Sequence, residues 1–218
     1  TYNLNLKPDL NTSKYDGMVA IKLKVLTRTK CVVLNSEDLD FASKDITLSD
    51  TNGKTVSLQE LRFDKNTTKV LMKFSRMFDV NEELSLQIAF RSKLRDDLVG
   101  FYKSTHKTAD GETKVIATTQ FESQFARSAF PCFDEPNFKA KFRISIQIKP
   151  VEVQKVNMRV LSNMPEEQRT VLPDGSSIVL FQESPLMSTY LVAFIVGEFD
   201  HVEATAEDGT VFRVYSLP

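Results

Sequence analysis

Apolar and polar residues alternate with a period of two along much of the chain. Lys22 and Lys24 separate Ile21, Leu23 and Val25. Ser85, Gln87 and Ala89 separate Leu84, Leu86, Ile88 and Phe90. Arg143, Ser145 and Gln147 separate Phe142, Ile144, Ile146 and Ile148. Successive side chains of a strand point to opposite faces, so each run predicts a strand with one buried face and one that meets water. That is the pattern of antiparallel sheets. Asn52-Gly53, Asp110-Gly111, Pro173-Asp174-Gly175 and Asp208-Gly209 stand between these runs and predict hairpin turns. About twelve to fourteen strands are expected at this spacing. No strand–helix alternation and no glycine-rich phosphate loop appears, which argues against a parallel nucleotide-binding fold. The predicted class is all-β, a multi-stranded antiparallel sandwich.

Two segments break the alternation. In residues 121–130, Phe121, Phe125 and Ala129 recur four apart. This spacing predicts a short helical segment near 122–130, stopped by Pro131. Leu191 to Val196 is apolar at every position. It reads as a central strand covered on both faces and ended by Gly197.

Composition narrows the functional classes. A chain of 218 residues can bury roughly 70% of its unfolded surface without metal or disulfide staples. Its 28 basic residues almost balance 29 acidic ones, so no electrostatic grip on nucleic acid or an anionic membrane is expected. No apolar run is long enough for a membrane span. Cys31 and Cys132 are too far apart for a zinc spacing, and the pair reads as two reduced, buried thiols of a cytosolic protein, with a single disulfide as the alternative. Asn11-Thr12-Ser13 and Asn66-Thr67-Thr68 are glycosylation sequons, which keep a secreted location open. The opening Thr1-Tyr2-Asn3-Leu4 already alternates, carries no signal peptide, and is expected to begin inside a strand.

Candidate chemistry is sparse. There is no H-E-x-x-H and no G-x-S-x-G. His106 and His201 stand far apart in polar stretches and read as surface histidines. Cys132, between Pro131 and Phe133, reads as a buried, unreactive thiol. Asp134-Glu135 resembles a catalytic carboxylate pair. Adjacent residues of an extended segment point apart, however, and a turn before Pro136 with Asp134 capping backbone amides fits better. Arg127 is expected to pair with a carboxylate and hold this corner. No metal site and no catalytic residue is expected within the chain.

One stretch is more particular: Thr118-Thr119-Gln120-Phe121-Glu122, followed by Ala126-Arg127-Ser128-Ala129-Phe130-Pro131-Cys132-Phe133-Asp134-Glu135-Pro136. It resembles a signature of the zinc aminopeptidases that include aminopeptidase N, the endoplasmic-reticulum aminopeptidases and puromycin-sensitive aminopeptidase. Val99-Gly100-Phe101-Tyr102, Lys139-Ala140-Lys141-Phe142 and Met187-Ser188-Thr189-Tyr190-Leu191-Val192-Ala193-Phe194 match further segments of that family in order. The resemblance covers the whole chain. It implies that residues 1–218 are the saddle-shaped N-terminal β-domain that precedes a catalytic domain in such enzymes. It also implies zinc in the parent protein, peptide substrates, and the chain's own catalytic domain as its partner. The puromycin-sensitive branch looks nearest, which implies a cytoplasmic enzyme; secreted and membrane-anchored branches are the alternatives.

The resemblance further implies that Gln120 and Glu122 face the free amino terminus and first side chain of a peptide substrate. Read as residues alone, Glu122 serves equally as a first-turn acid stabilised by a helix dipole, and Gln120 as a structural strand amide. In an extended segment Phe121 points the opposite way, into the core. The stretch 118–136 is expected to leave a sizeable apolar patch exposed for the catalytic domain. A catalytically silent β-sandwich interaction module, from a relative that lost its zinc site, is the competing function.

Overall fold

The computed structural model describes every residue except Ala109, Val156 and Pro218. Seventeen strands form among the described residues. In chain order they are β1 (Tyr2–Asp9), β2 (Lys14–Lys24), β3 (Thr29–Asn35), β4 (Ile46–Asp50), β5 (Thr55–Val56), β6 (Leu58–Asp64), β7 (Lys69–Phe78), β8 (Glu83–Lys93), β9 (Gly100–Lys107), β10 (Thr113–Gln120), β11 (Phe142–Ile148), β12 (Met158–Ser162), β13 (Glu166–Val171), β14 (Ser177–Phe181), β15 (Phe194–Glu198), β16 (Asp200–Thr205) and β17 (Val211–Ser216). Among the described residues the one α-helix, α1, is the four-residue turn Pro150–Val153, and no helix is long and apolar enough to cross a membrane.

The strands make four sheets. The largest runs β13-β14-β11-β1-β2-β8-β4-β5; the others are β12-β15-β10-β9, β3-β7-β6 and the pair β16-β17. The inward halves of the alternating runs build one core. Leu4, Val19, Ile21, Leu86, Ile88 and Ile146 are nearly inaccessible. All four predicted glycine turns form, with Gly53, Gly111, Gly175 and Gly209 at positive φ.

Among the described residues the named strands pair antiparallel except at one place. β1 and β11 run parallel, setting Tyr2 beside Phe142 and Leu4 beside Ile144. The long connection between them permits either direction, and their apolar residues share one phase in the register formed. Side by side, both strands put their apolar rows on the same face, and Tyr2 stacks on Phe142 at 4.8 Å between ring centroids.

The short helical segment expected near 122–130 is a turn over 122–125 followed by a 3-10 turn at Ala126–Ser128. The Arg127 amide donates to Asp134 Oδ2 at 3.1 Å rather than to a carbonyl one turn back. The Ser128 hydroxyl donates to the Phe125 carbonyl at 2.8 Å. Both bonds draw the backbone away from a regular helix. The apolar run 191–196 is not a strand covered on both faces. It opens in a 3-10 turn, Thr189–Leu191, and Leu191 is 50% exposed. β15 begins at Phe194 and continues through Gly197. There the Ile116 side chain occupies the space a Cβ would need, 2.5 Å away.

Candidate functional site

Gln120 is the last residue of β10 and lies opposite Gly100 at the start of β9. Its side chain is exposed, as is that of Glu122, while Phe121 between them is 2% exposed. The chain thus turns one residue inward and its two neighbours outward. Among the described residues Glu122 takes part in no ion pair. The ring of Phe121 packs edge-on against Phe130 at 6.0 Å and Phe194 at 5.9 Å. The turn that carries Glu122 closes when the Phe125 amide donates to the Phe121 carbonyl at 2.9 Å.

Behind this turn lies a buried ion pair. The Arg127 guanidinium donates from Nε to Asp134 Oδ2 at 3.0 Å and from Nη2 to the Asp134 carbonyl at 3.1 Å. Its Nη1 reaches Thr68 Oγ1, 2.8 Å away on the β6–β7 hairpin. Asp134 is buried and Glu135 exposed, so the two adjacent carboxylates do not act as a pair. The expected role of Asp134 as an acceptor of backbone amides holds through Arg127. What the sequence did not single out is that the corner also recruits β3. The Asp134 amide donates to Asn35 Oδ1 at 3.1 Å, and Asn35 and Cys132 exchange backbone hydrogen bonds.

The other candidates fall outside this site. Cys132 is fully buried, and burial pushes its thiol pKa well up, so it stays protonated and inert. Cys31 and Cys132 are both free, but Cys31 is half-buried and not buried as expected. His201 is exposed but sits in strand β16, stacked on Tyr215 at 5.2 Å, not in a loop. His106 is only half-exposed, because the β9–β10 hairpin continues through the polar stretch that carries it. Both its ring nitrogens are covered without a hydrogen-bond partner. Among the described residues no group of three or more His, Cys, Asp or Glu is placed to hold a metal. A surface cavity of about 850 Å³ is lined by Lys14, Asp38, Arg91, Arg95, Asp97 and Ser128 among others, and includes neither Gln120 nor Glu122.

Apolar exposure is displaced from where the sequence placed it. Within 118–136 the exposed residues are Gln120, Glu122, Ser123, Gln124, Glu135 and Pro136, all polar but the proline, while Phe121, Ala126, Ala129 and Phe130 are buried. Exposed apolar side chains on neighbouring segments are Phe138 (45%), Leu186 (64%) and Leu191 (50%). These segments are tied where Ser188 Oγ donates to the Pro136 carbonyl and Thr189 Oγ1 to the Phe133 carbonyl. A second apolar surface lies on the terminal hairpin. Val202 pairs with Val214 and Ala204 with Phe212, so all four share one face, and all are exposed.

An ion pair elsewhere gives the domain an acid limit. Burial alone would raise the Asp9 pKa. The Lys149 ammonium outweighs it, aided by the Thr12 hydroxyl and the amides of Thr12 and Asn11, and holds the carboxyl at about 2. A depressed carboxyl stabilises the fold above its unfolded pKa of about 3.9 and loses that contribution as pH falls towards the folded value. Asp9→Asn should therefore lower stability at pH 7 and flatten the pH dependence between about 4 and 2. Denaturant midpoints across that range check this; an unchanged slope would remove Asp9 from the acid limb.

Comparison with known proteins places the chain. Residues 1–191 match the model of the Peptidase M1 N-terminal domain. The chain is 39% identical over 221 residues to Aminopeptidase M1-A of Oryza sativa subsp. japonica, covering 99% of itself and 24% of that protein. It is 34% identical over its full length to the puromycin-sensitive aminopeptidase of Caenorhabditis elegans, spanning 22% of that protein. It is likewise 34% identical to endoplasmic reticulum aminopeptidase 2 of Bos taurus, again covering 22% of the relative. The chain spans about a quarter of the length of these relatives, and their names agree in describing aminopeptidases. With the family's N-terminal model running over most of its length, the chain belongs to the peptidase M1 family as an N-terminal domain.

Proposed function

We propose that residues 1–218 are the N-terminal β-domain of a zinc-dependent aminopeptidase, which removes residues from the free amino ends of peptides. Within it Gln120 and Glu122 face the α-ammonium and the first side chain of the substrate. The observation that carries this reading is Glu122 itself: an exposed carboxylate without an ion-pair partner, held beside exposed Gln120 by a buried ring. A carboxylate recovers its desolvation cost when a cation meets it, because attraction grows as the site dries. An enzyme that must select a free amino end needs such a group. Gln120 both donates and accepts, so it suits the neighbouring peptide.

The residues described here do not fit a zinc ion, and zinc ligation is assigned to chain beyond residue 218. The exposed apolar face of β16 and β17, with Phe138, Leu186 and Leu191, supports a catalytic domain packed against this one. The two free cysteines support a cytoplasmic location.

Two measurements test the reading. Residues 1–218 purified alone and dialysed should retain much less than one zinc per chain, and the full-length protein about one. The full-length protein should hydrolyse unblocked peptides and spare N-acetylated ones. One tightly held zinc in the isolated domain would refute the assignment of the metal. A full-length sequence lacking H-E-x-x-H, with no hydrolysis, would leave a silent interaction module instead.

A further inference from the structure

We infer that Phe121 is a positioning residue for substrate binding, its buried ring fixing where the Glu122 carboxylate stands. The inference rests on the role proposed above for Gln120 and Glu122. Phe121 has no functional atom to offer a substrate, yet it sits between two residues that do. Those neighbours are held differently. Gln120 is fixed by the sheet, opposite Gly100. The backbone approaches closely there: Gly100 has φ +70°, and a Cβ on it would fall 2.2 Å from Ser128 Oγ. Glu122 lies beyond the last paired residue, in a turn that returns to the Phe121 carbonyl through the Phe125 amide. Its place therefore depends on Phe121.

The ring is anchored from two sides. Phe194, from β15, packs on Phe101 at 4.9 Å, and Phe101 packs on Tyr15 at 5.0 Å. The Tyr15 hydroxyl donates to the Ala129 carbonyl at 3.0 Å. Phe130 packs on Tyr2 at 6.3 Å, and Tyr2 stacks on Phe142. Phe121 thus joins aromatic residues of the eight-stranded sheet to those of the four-stranded sheet. A smaller side chain there leaves the sheet pairing of Gln120 intact and loosens the turn that presents Glu122. Small displacements of a positioning group weaken binding without removing any substrate contact from the list of residues.

The test is a double-mutant cycle in the full-length protein, with Phe121→Leu, Glu122→Gln and both together. Phe74→Leu serves as a control, since Phe74 is fully buried and packs on Phe78, away from the site. Phe121→Leu should raise KM for unblocked peptides by roughly tenfold with kcat within about twofold. Phe74→Leu should lower Tm without moving KM. In the Glu122→Gln background, Phe121→Leu should add little, because the carboxylate it positions is gone. A KM rise with Glu122→Gln but none with Phe121→Leu would overturn the positioning role alone. So would additivity in the cycle, or an equal KM rise with Phe74→Leu. No KM change with Glu122→Gln would overturn the role of Glu122 and the positioning role together.

Discussion

Arg127→Ala and Asp134→Ala should each destabilise the domain by about 3–5 kcal/mol, the range for removing one partner of a buried ion pair. The side chains are 11% and 2% exposed. Removing the arginine leaves a carboxylate in a dry corner with backbone amides but no cation. Removing the aspartate strands a guanidinium whose other partners are neutral, Thr68 Oγ1 and the Asp134 carbonyl. Arg127→Lys keeps the charge but not the fork that reaches three acceptors at once, so its loss should be intermediate. Replacing both residues with apolar ones should cost less than either single alanine change, because no charge is then left buried alone. Urea unfolding of each variant measures this through the midpoint at constant slope. A loss below about 1 kcal/mol for either alanine variant, the level of an exposed pair, would show that the corner does not depend on this contact.

The strands were legible because burial on one face writes itself into the sequence with a period of two. Leu84 to Phe90 takes the alternation it was expected to take, Phe142 to Ile148 does so except at Ser145, which is buried as well, and glycine marks four hairpins where positive φ is needed. The parallel pairing of β1 with β11 was not legible. Alternation fixes which face of a strand is buried, and says nothing of which distant strand lies beside it or in which direction. The helical segment near 122–130 is shorter than its spacing suggests for a related reason. A spacing of four between Phe121, Phe125 and Ala129 records that these residues approach the core. Any tight turn that returns to the core leaves the same trace, and here the competing acceptor was Asp134, which no local periodicity announces.

At the candidate site, the outward direction of Gln120 and Glu122 and the inward direction of Phe121 followed from simple alternation. Arg127 was expected to find a carboxylate, and Asp134 is it. The contributions of Thr68 and Asn35 were invisible, since they lie 59 and 99 residues away in sequence and meet the corner only through the fold. The apolar surfaces were misplaced because exposure depends on what packs on a strand and not on its residue types. Leu191 and the Val202, Ala204, Phe212 and Val214 face look like core in the sequence, and no described residue covers them as core.

Glu122→Gln in the full-length enzyme should lower kcat/KM on unblocked peptides by roughly ten- to a hundredfold. The change keeps the size of the side chain and removes its charge. A hydrogen bond to a charged group is worth about 1.5–3 kcal/mol, and each 1.36 kcal/mol is about tenfold in rate. Glu122 makes no ion pair within the domain, so the substitution breaks no internal contact of that kind, and Tm should hardly move. The direction of the kinetic change is informative. The ammonium lies two bonds from the carbonyl carbon that is attacked and carries the same charge before and during that attack. It is held equally in the ground and transition states, so the loss should fall mostly on KM. A loss confined to kcat would instead put the carboxylate among groups that act only as the bond breaks. Substrate chemistry gives an internal control: N-acetylated peptides carry no cation, and their already slow turnover should hardly change with the substitution. Gln120→Ala removes a neutral contact and should cost less, about 0.5–1.5 kcal/mol. A Glu122→Gln enzyme with unaltered kcat/KM on unblocked peptides would remove this residue from substrate recognition. An equal loss on free and acetylated peptides would do the same, because the carboxylate would then be acting on something other than the α-ammonium.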